Sequence, residues 1–280
     1  MREVLIPKTI EELLTNIDNE NRRITAGYTD IVVALRNNKL ACKPTIDITE
    51  IMDLKKIFKK DERIYIGGNV PLSDICHCQL IRKDYKVLVD AIETIGSPQI
   101  RNRATLAGNV QNASPSGDGI LALVLLGASV ILRSIRGQRE ITVENFIIGV
   151  GRTDLKNQEF IEYIVLSNVY EGYTSYFEKV GLRSAMVISI ASIGVLFKEE
   201  AGAIKDIRIV YGAVAPSVLR LKEAEDYLKG KYLEEKTLTE AGEIIGKAVS
   251  PIEDLRASAE YRRAVCKNLI MRLLELKKEG

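Results

Sequence analysis

An α+β fold in two domains is predicted by three features of this 280-residue chain. Short strand and helix patterns alternate through the first part, and a half-buried strand pattern with Ile207, Ile209 and Tyr211 on one side lies further on. Three helix patterns then close the sequence. The length accommodates two modest domains with well-buried cores. The boundary falls near residue 170, where a strand pattern at Ile161–Leu166 gives way to a turn at Asn168–Gly172, so the domains read as 1–170 and 171–280.

In chain order, Ile10–Ile17 reads as a helix and Arg23–Ala26 as a strand ending at Gly27. A helix from Thr29 or Asp30 through Leu35 follows, because Thr and Asp are favourable N-caps ahead of an apolar run. Arg63–Gly67 is a strand leading into the turn Gly67-Gly68-Asn69-Val70-Pro71. Ser73–Leu80 and Val87–Ile95 look helical. Residues 95–118, IGSPQIRNRATLAGNVQNASPSGD, carry three glycines and no amphipathic period, and read as one ordered polar loop built to hold a ligand. Ile120–Leu126 is then a buried helix capped by Asp118, and Ala128–Arg133 a strand. Beyond the boundary, Met186–Phe197 is a long apolar run interrupted by Ser189, Ser192 and Gly194. The closing helices span Leu219–Leu228, Leu238–Val249 and Ala259–Lys277, the last with a stripe of Tyr261, Val265, Leu269 and Leu273.

Charge and composition narrow the function classes. Forty basic and 38 acidic residues leave a net charge of +2, too little for a field that would gather nucleic acid or anionic lipid, so an anionic ligand has to be bound locally. The longest apolar stretch, 119–132, is too short to span a bilayer, and the N-terminus lacks a signal-peptide core; a cytoplasmic protein is expected. Cys76-His77-Cys78 is spaced too tightly for the usual zinc motifs, and it reads as ordinary thiols and a helical histidine.

Two segments present backbone suited to an anion. Ala26-Gly27-Tyr28-Thr29-Asp30 lies where a strand turns into a helix, which exposes N–H groups and the positive end of the helix dipole. Thr105-Leu106-Ala107-Gly108-Asn109 adds a hydroxyl, an amide and a glycine that permits close approach. Neither matches the dinucleotide glycine fingerprint, and Gly242–Lys247 is one residue short of a phosphate loop. With one histidine and no nucleophile–base pair, no catalytic residue is assigned, and a cofactor is expected to carry any chemistry.

Ala26–Asp30 and the whole 95–118 stretch, with Gly151-Arg152-Thr153-Asp154-Leu155, Tyr176–Arg183, Gly212–Pro216 and Ser250–Ser258, resemble the FAD-binding medium subunit of molybdenum hydroxylases, the xanthine dehydrogenase and carbon monoxide dehydrogenase family. The resemblance covers essentially the whole chain. It implies a two-subdomain FAD-binding PCMH domain, similar to vanillyl-alcohol oxidase, followed by a smaller α/β domain with an antiparallel sheet and helices.

By the same resemblance, Thr25, Ala26, Gly27, Tyr28, Thr29 and Asp30 face Thr105, Leu106, Ala107, Gly108 and Asn109 across the FAD pyrophosphate. Ser114 and Asp118 belong to the ligand loop, and Leu155 and Lys179 lie near the flavin ring. Tyr28 and Ala107 stand where relatives usually have glycine. The implied partners are a molybdopterin-containing large subunit and a 2Fe–2S small subunit, with NAD+ or another acceptor taking the electrons. The Lys179–Ser192 segment resembles purine-oxidising members, which points to a xanthine dehydrogenase-like complex. A scaffold subunit without cofactor and a stand-alone flavin reductase are the alternatives.

Overall fold

A computed structural model describes residues 4–17, 22–183 and 186–276. The strands are β1 (Val4–Leu5), β2 (Arg23–Thr25), β3 (Thr45–Asp47), β4 (Ile57–Lys60), β5 (Arg63–Gly67), β6 (Ser129–Ser134), β7 (Gly137–Thr142), β8 (Ile147–Gly149), β9 (Arg152–Thr153), β10 (Phe160–Ser167), β11 (Thr174–Val180), β12 (Ala191–Glu200), β13 (Ala203–Gly212) and β14 (Leu219–Arg220). The helices are α1 (Ile10–Ile17), α2 (Ile31–Arg36), α3 (Leu72–His77), α4 (Gln79–Asp84), α5 (Lys86–Glu93), α6 (Pro98–Arg101), α7 (Leu106–Asn112), α8 (Asp118–Leu125), α9 (Val143–Phe146), α10 (Lys222–Leu228), α11 (Glu235–Ala248), α12 (Ala259–Leu269) and α13 (Leu273–Leu276). No described helix is long and apolar enough to cross a membrane.

The chain forms two compact units that interleave in sequence: residues 1–84, 96–113 and 127–168 make one, and 85–95, 114–126 and 169–280 make the other. In the first, a parallel sheet in the order β1-β3-β2 accompanies an antiparallel sheet in the order β4-β5-β10-β6-β7. Helix α1 buries Ile10, Leu13 and Ile17, spaced three and four apart, in a cluster with Ile46 of β3, Ile51 and Leu54.

The second unit is built on the antiparallel sheet β11-β12-β13-β14. Ala191, Ile193, Val195, Ile207, Ile209 and Tyr211 point from one face into a core shared with residues of α10, α11 and α12. The opposite face lies under α8, all eight residues of which are buried. A β-carbon added at Gly194 or Gly212 would stand 2.6 Å and 3.2 Å from Leu121 side-chain atoms, so Gly194, which interrupts the apolar run, and Gly212 on the next strand are where the helix rests on the sheet. That also explains why β12 reads as a continuous apolar run: its first seven residues are buried, on both faces.

Several expectations need correction. The 95–118 stretch is not a single loop, because Ser97 and Thr105 accept hydrogen bonds from the Ile100 and Gly108 N–H groups and start α6 and α7. Asp118 does not cap α8; Gly117 holds that position, and the carboxylate turns elsewhere. Asp30 precedes α2 without a side-chain capping bond. The expected helix over Ser73–Leu80 is interrupted at Cys78, whose extended backbone separates α3 from α4. The pattern at Leu219–Leu228 begins as β14, with the helix starting at Lys222. The last helix breaks into α12, a 3-10 turn at Ile270–Arg272 and α13, and its expected end at Lys277 lies outside the described residues. Residues four apart drift by about 40° per step around a helix. Tyr261 consequently ends exposed, while Arg262, Cys266, Leu269, Ile270 and Leu273 face inward.

Arg262, only 2% exposed, ties this unit together. One guanidinium nitrogen donates to the carbonyls of Ile190 at 2.6 Å and Ala213 at 3.3 Å, and the other to Asp254 Oδ1 at 2.8 Å. Replacing Arg262 by Met leaves buried carbonyls and a partly exposed carboxylate without their donor. A loss on the order of 3 kcal/mol, the low end for a broken buried pair, is expected from urea unfolding.

Candidate functional site

In the first unit the residues expected at the site are assembled around one backbone strip. Gly27 packs so tightly on Arg103 that an added β-carbon would lie 1.9 Å from its carbonyl oxygen. The other side of the strip is held by the Leu72 N–H, which donates to the Ala104 carbonyl at 2.8 Å, and by a bridge between Pro71 and Thr105. The 25–30 turn therefore lies against the residues that lead into Thr105–Asn109.

Tyr28 adopts φ 64°, a left-handed conformation that costs a non-glycine residue roughly 1–2 kcal/mol. Its hydroxyl donates to Asp47 Oδ2 at 3.0 Å, while the Thr49 N–H and hydroxyl occupy Asp47 Oδ1. A hydrogen bond to a charged partner contributes about 1.5–3 kcal/mol at most, so it offsets the strain. Burial, with help from Asp47, pushes the phenol pKa up. Ala107 raises no such conflict: it is buried within α7, where alanine is the preferred residue.

Helix α7 connects two of the expected segments. At its start, Thr105 Oγ1 accepts from the Gly108 N–H at 3.0 Å, and Leu106 and Val110 are buried one turn apart. Asn109 presents a buried Oδ1 with no hydrogen-bond partner. At its end, Ala113 sits at φ 47° and its carbonyl accepts from the Gly151 N–H at 3.0 Å, while Gln111 Oε1 accepts from the Thr153 hydroxyl at 3.3 Å. The Asp154 N–H then donates to the Phe146 carbonyl at 2.8 Å. Arg139 closes the segment with four bonds, two to Asp154 through its side chain and carbonyl and two to Glu159. Leu155, half-buried, follows directly.

The second unit holds Ser114, Asp118 and Lys179. Ser114 shapes the turn into α8, its carbonyl accepting from the Gly117 N–H at 3.0 Å and its hydroxyl meeting that of Ser116 at 3.1 Å. Asp118 and Lys179 form an ion pair of 2.7 Å with side chains 4% and 8% exposed. Lys179 also donates to the Thr94 carbonyl at 3.2 Å, and Ser189 donates to the second carboxylate oxygen at 2.8 Å. Lys179 is thus a buried member of a polar cluster, rather than a surface lysine on a strand. Ser189 and Arg139 are absent from the expected site; the one signal for Ser189 was a polar residue inside an apolar run, and for Arg139 there was none.

Two consequences can be measured. Gly27→Ala forces the strip at 103–104 to move and is expected to cost roughly 1–3 kcal/mol of unfolding free energy. Gly108→Ala, whose β-carbon would meet only Thr105 Oγ1 at 3.0 Å, is expected to cost less. The second concerns pH. The Arg139 hydrogen bond holds the Glu159 carboxyl below its ordinary 4.5, against the opposing effect of burial. A depressed carboxylate stabilises the fold above its unfolded pKa and loses that contribution as pH falls through the folded value. The melting-temperature difference between the native chain and Arg139→Leu is therefore expected to be largest near neutrality and to shrink progressively below about pH 4.5.

Comparison with known proteins adds the family. Residues 1–167 match the model of the FAD binding domain in molybdopterin dehydrogenase, and residues 175–276 match that of the CO dehydrogenase flavoprotein C-terminal domain. The chain is 29% identical to the glyceraldehyde dehydrogenase medium chain of Sulfolobus acidocaldarius over 95% of its length and 94% of that protein. It is 27% identical to the xanthine dehydrogenase FAD-binding subunit of Escherichia coli O157:H7 over 88% and 85% of the two chains. A solved carbon monoxide dehydrogenase from Hydrogenophaga pseudoflava, 24% identical, shares the fold with a TM-score of 0.91 across 97% of this chain and 95% of that one. The chain belongs to the FAD-binding subunit family of molybdenum hydroxylases, an oxidoreductase flavoprotein whose cofactor is FAD.

Proposed function

We propose that this subunit passes electrons within a molybdenum hydroxylase complex, from the iron–sulfur clusters of a 2Fe–2S small subunit to NAD+ or another acceptor. A molybdopterin-containing large subunit would oxidise the substrate. A purine such as xanthine is the proposed substrate, supported by the Lys179–Ser192 resemblance and the xanthine dehydrogenase relative. The glyceraldehyde dehydrogenase relative, at 29%, speaks for an aldehyde substrate just as directly. Substrate bleaching of flavin absorbance in the co-purified complex separates the two. As sequence modules we propose 1–170 and 171–280, supported by family models that end at 167 and begin at 175.

The observation that carries the site assignment is unmet hydrogen-bonding capacity at the expected place. Among the described residues, no acceptor takes the N–H groups of Gly27, Tyr28, Thr29 or Asp30, and Asn109 Oδ1 is buried without a donor. Donors from successive backbone amides suit a pyrophosphate, and an orphan amide oxygen suits a ligand hydroxyl or N–H. The residues present therefore fit FAD. Thr25–Asp30 and Thr105–Asn109 would hold the phosphates. Ser114, Asp118, Leu155 and Lys179 would orient the ring. Bound FAD supplies the ability to accept electrons singly and release them in pairs. Lys179 contributes a buried ammonium whose charge favours an added negative charge nearby, and its bond to the Thr94 carbonyl limits how far it moves.

Incubating the purified chain with FAD is expected to give a yellow protein that keeps its flavin through gel filtration; a colourless product that takes up none overturns the assignment. Lys179→Gln keeps an N–H donor for Asp118 while removing the charge. It is expected to retain FAD but to shift the flavin potential downward by at least tenfold in the reduction equilibrium, about 30 mV for two electrons. Lys179→Ala, which strands the buried carboxylate, is expected to lose fold stability as well, by about 3 kcal/mol in urea unfolding.

A further inference from the structure

We infer that Ser189 is a positioning residue for the flavin, setting the effective charge of Lys179 through Asp118. The inference rests on the proposal that Lys179 faces FAD. Asp118 divides its two oxygens: Oδ2 accepts from Lys179 Nζ at 2.7 Å and Oδ1 from the Ser189 hydroxyl at 2.8 Å. Ser189 is fully buried, so no water replaces its bond. It lies in the connection just before β12, and Lys179 lies near the end of β11, directly across from Ser192 in the register. Asp118 begins α8, and the Thr94 carbonyl belongs to the end of α5. Four separate segments of one unit thus converge on a single ammonium and a single carboxylate.

The charge that Lys179 presents outward depends on how fully Asp118 neutralises it. With Ser189 in place, part of the carboxylate's hydrogen-bonding capacity is directed away from the lysine. Without it, Oδ1 is a buried acceptor with no donor, a state costly enough to draw the ammonium into a two-oxygen contact. Lys179 is then pulled toward Asp118 and offers less to an anion on its other side. The neighbouring hydroxyl provides the comparison: Ser192 Oγ is equally buried, sits across from Lys179, and has no hydrogen-bond partner. It is a polar atom of the same sheet face without a part in the cluster.

The experiment is redox titration of the FAD-loaded protein for Ser189→Ala, Ser192→Ala and Lys179→Gln, alongside FAD affinity and thermal melting of the apoprotein. Ser189→Ala is expected to lower the flavin potential in the same direction as Lys179→Gln and by a smaller amount, with FAD affinity changed less than threefold. Ser192→Ala is expected to leave the potential unchanged, and Ser189→Thr, which restores a hydroxyl, to recover the native value. A shifted melting temperature with an unshifted potential in Ser189→Ala makes the serine merely structural and overturns the inference. Equal shifts in Ser189→Ala and Ser192→Ala, which point to general repacking of the sheet, overturn it too. If Lys179→Gln itself leaves the potential unchanged, the underlying assignment of Lys179 to the flavin fails.

Discussion

Helix α8 can lie on its sheet only because two positions beneath it carry no side chain. A β-carbon at Gly194 would stand 2.6 Å from a Leu121 methyl, and one at Gly212 would stand 2.6 Å from Ser192 Oγ and 3.2 Å from Leu121. Beyond Asp118 the helix is apolar all round and wholly buried, so close packing positions most of it. A methyl group at Gly194 would press on Leu121 and Leu125 of the helix that begins at Asp118, and one at Gly212 on Ser192 as well as Leu121. The seat of Asp118 against Lys179 and Ser189 thus combines its own bonds with the close approach that Gly194 and Gly212 allow.

That seat matters because a buried ion pair contributes little net stability. Removing two charges from water costs several kcal/mol, which their attraction repays only with good geometry and satisfied remaining valences. Here Ser189 occupies the second carboxylate oxygen and the Thr94 carbonyl takes a second ammonium proton. The cluster is satisfied within one unit, so its geometry is set before any ligand arrives. In the other unit the balance is reversed, with a buried amide oxygen and a run of backbone N–H groups that the protein leaves undirected. The Asp118–Lys179 cluster directs its hydrogen bonds inward, whereas the 25–30 turn and Asn109 leave theirs open to a ligand.

Much of this was legible where the physics is local. The spacing of Ile10, Leu13 and Ile17 announced a helix face, and the alternation at Ile207, Ile209 and Tyr211 a strand. The 95–118 stretch was misread as a loop because its helices are one or two turns long, too short for a period to show, and their starts depend on Ser97 and Thr105 as caps. Asp118 was expected as a cap because position alone suggests one; only the sheet, folded from residues far along the chain, supplies Lys179 and Ser189 to draw it inward. Tyr28 looked like an obstacle because its left-handed backbone is visible in no pattern, and neither is the Asp47 carboxylate that anchors its ring. Arg139 could not be found at all: its partners are fifteen and twenty residues away, joined by a fold with no spacing signature.

The interleaving of the two units bears on how the chain is made. Helices α5 and α8 belong to the unit whose sheet is encoded from residue 174 onward. A ribosome delivers them first, and α8 in particular emerges as an apolar segment whose resting surface does not yet exist. At the ordinary pace of about 5–20 residues per second, the strand that bears Gly212 follows several seconds later. The second unit's sheet starts at Thr174, so it begins to form only after the first unit, which ends at residue 168, has been wholly translated.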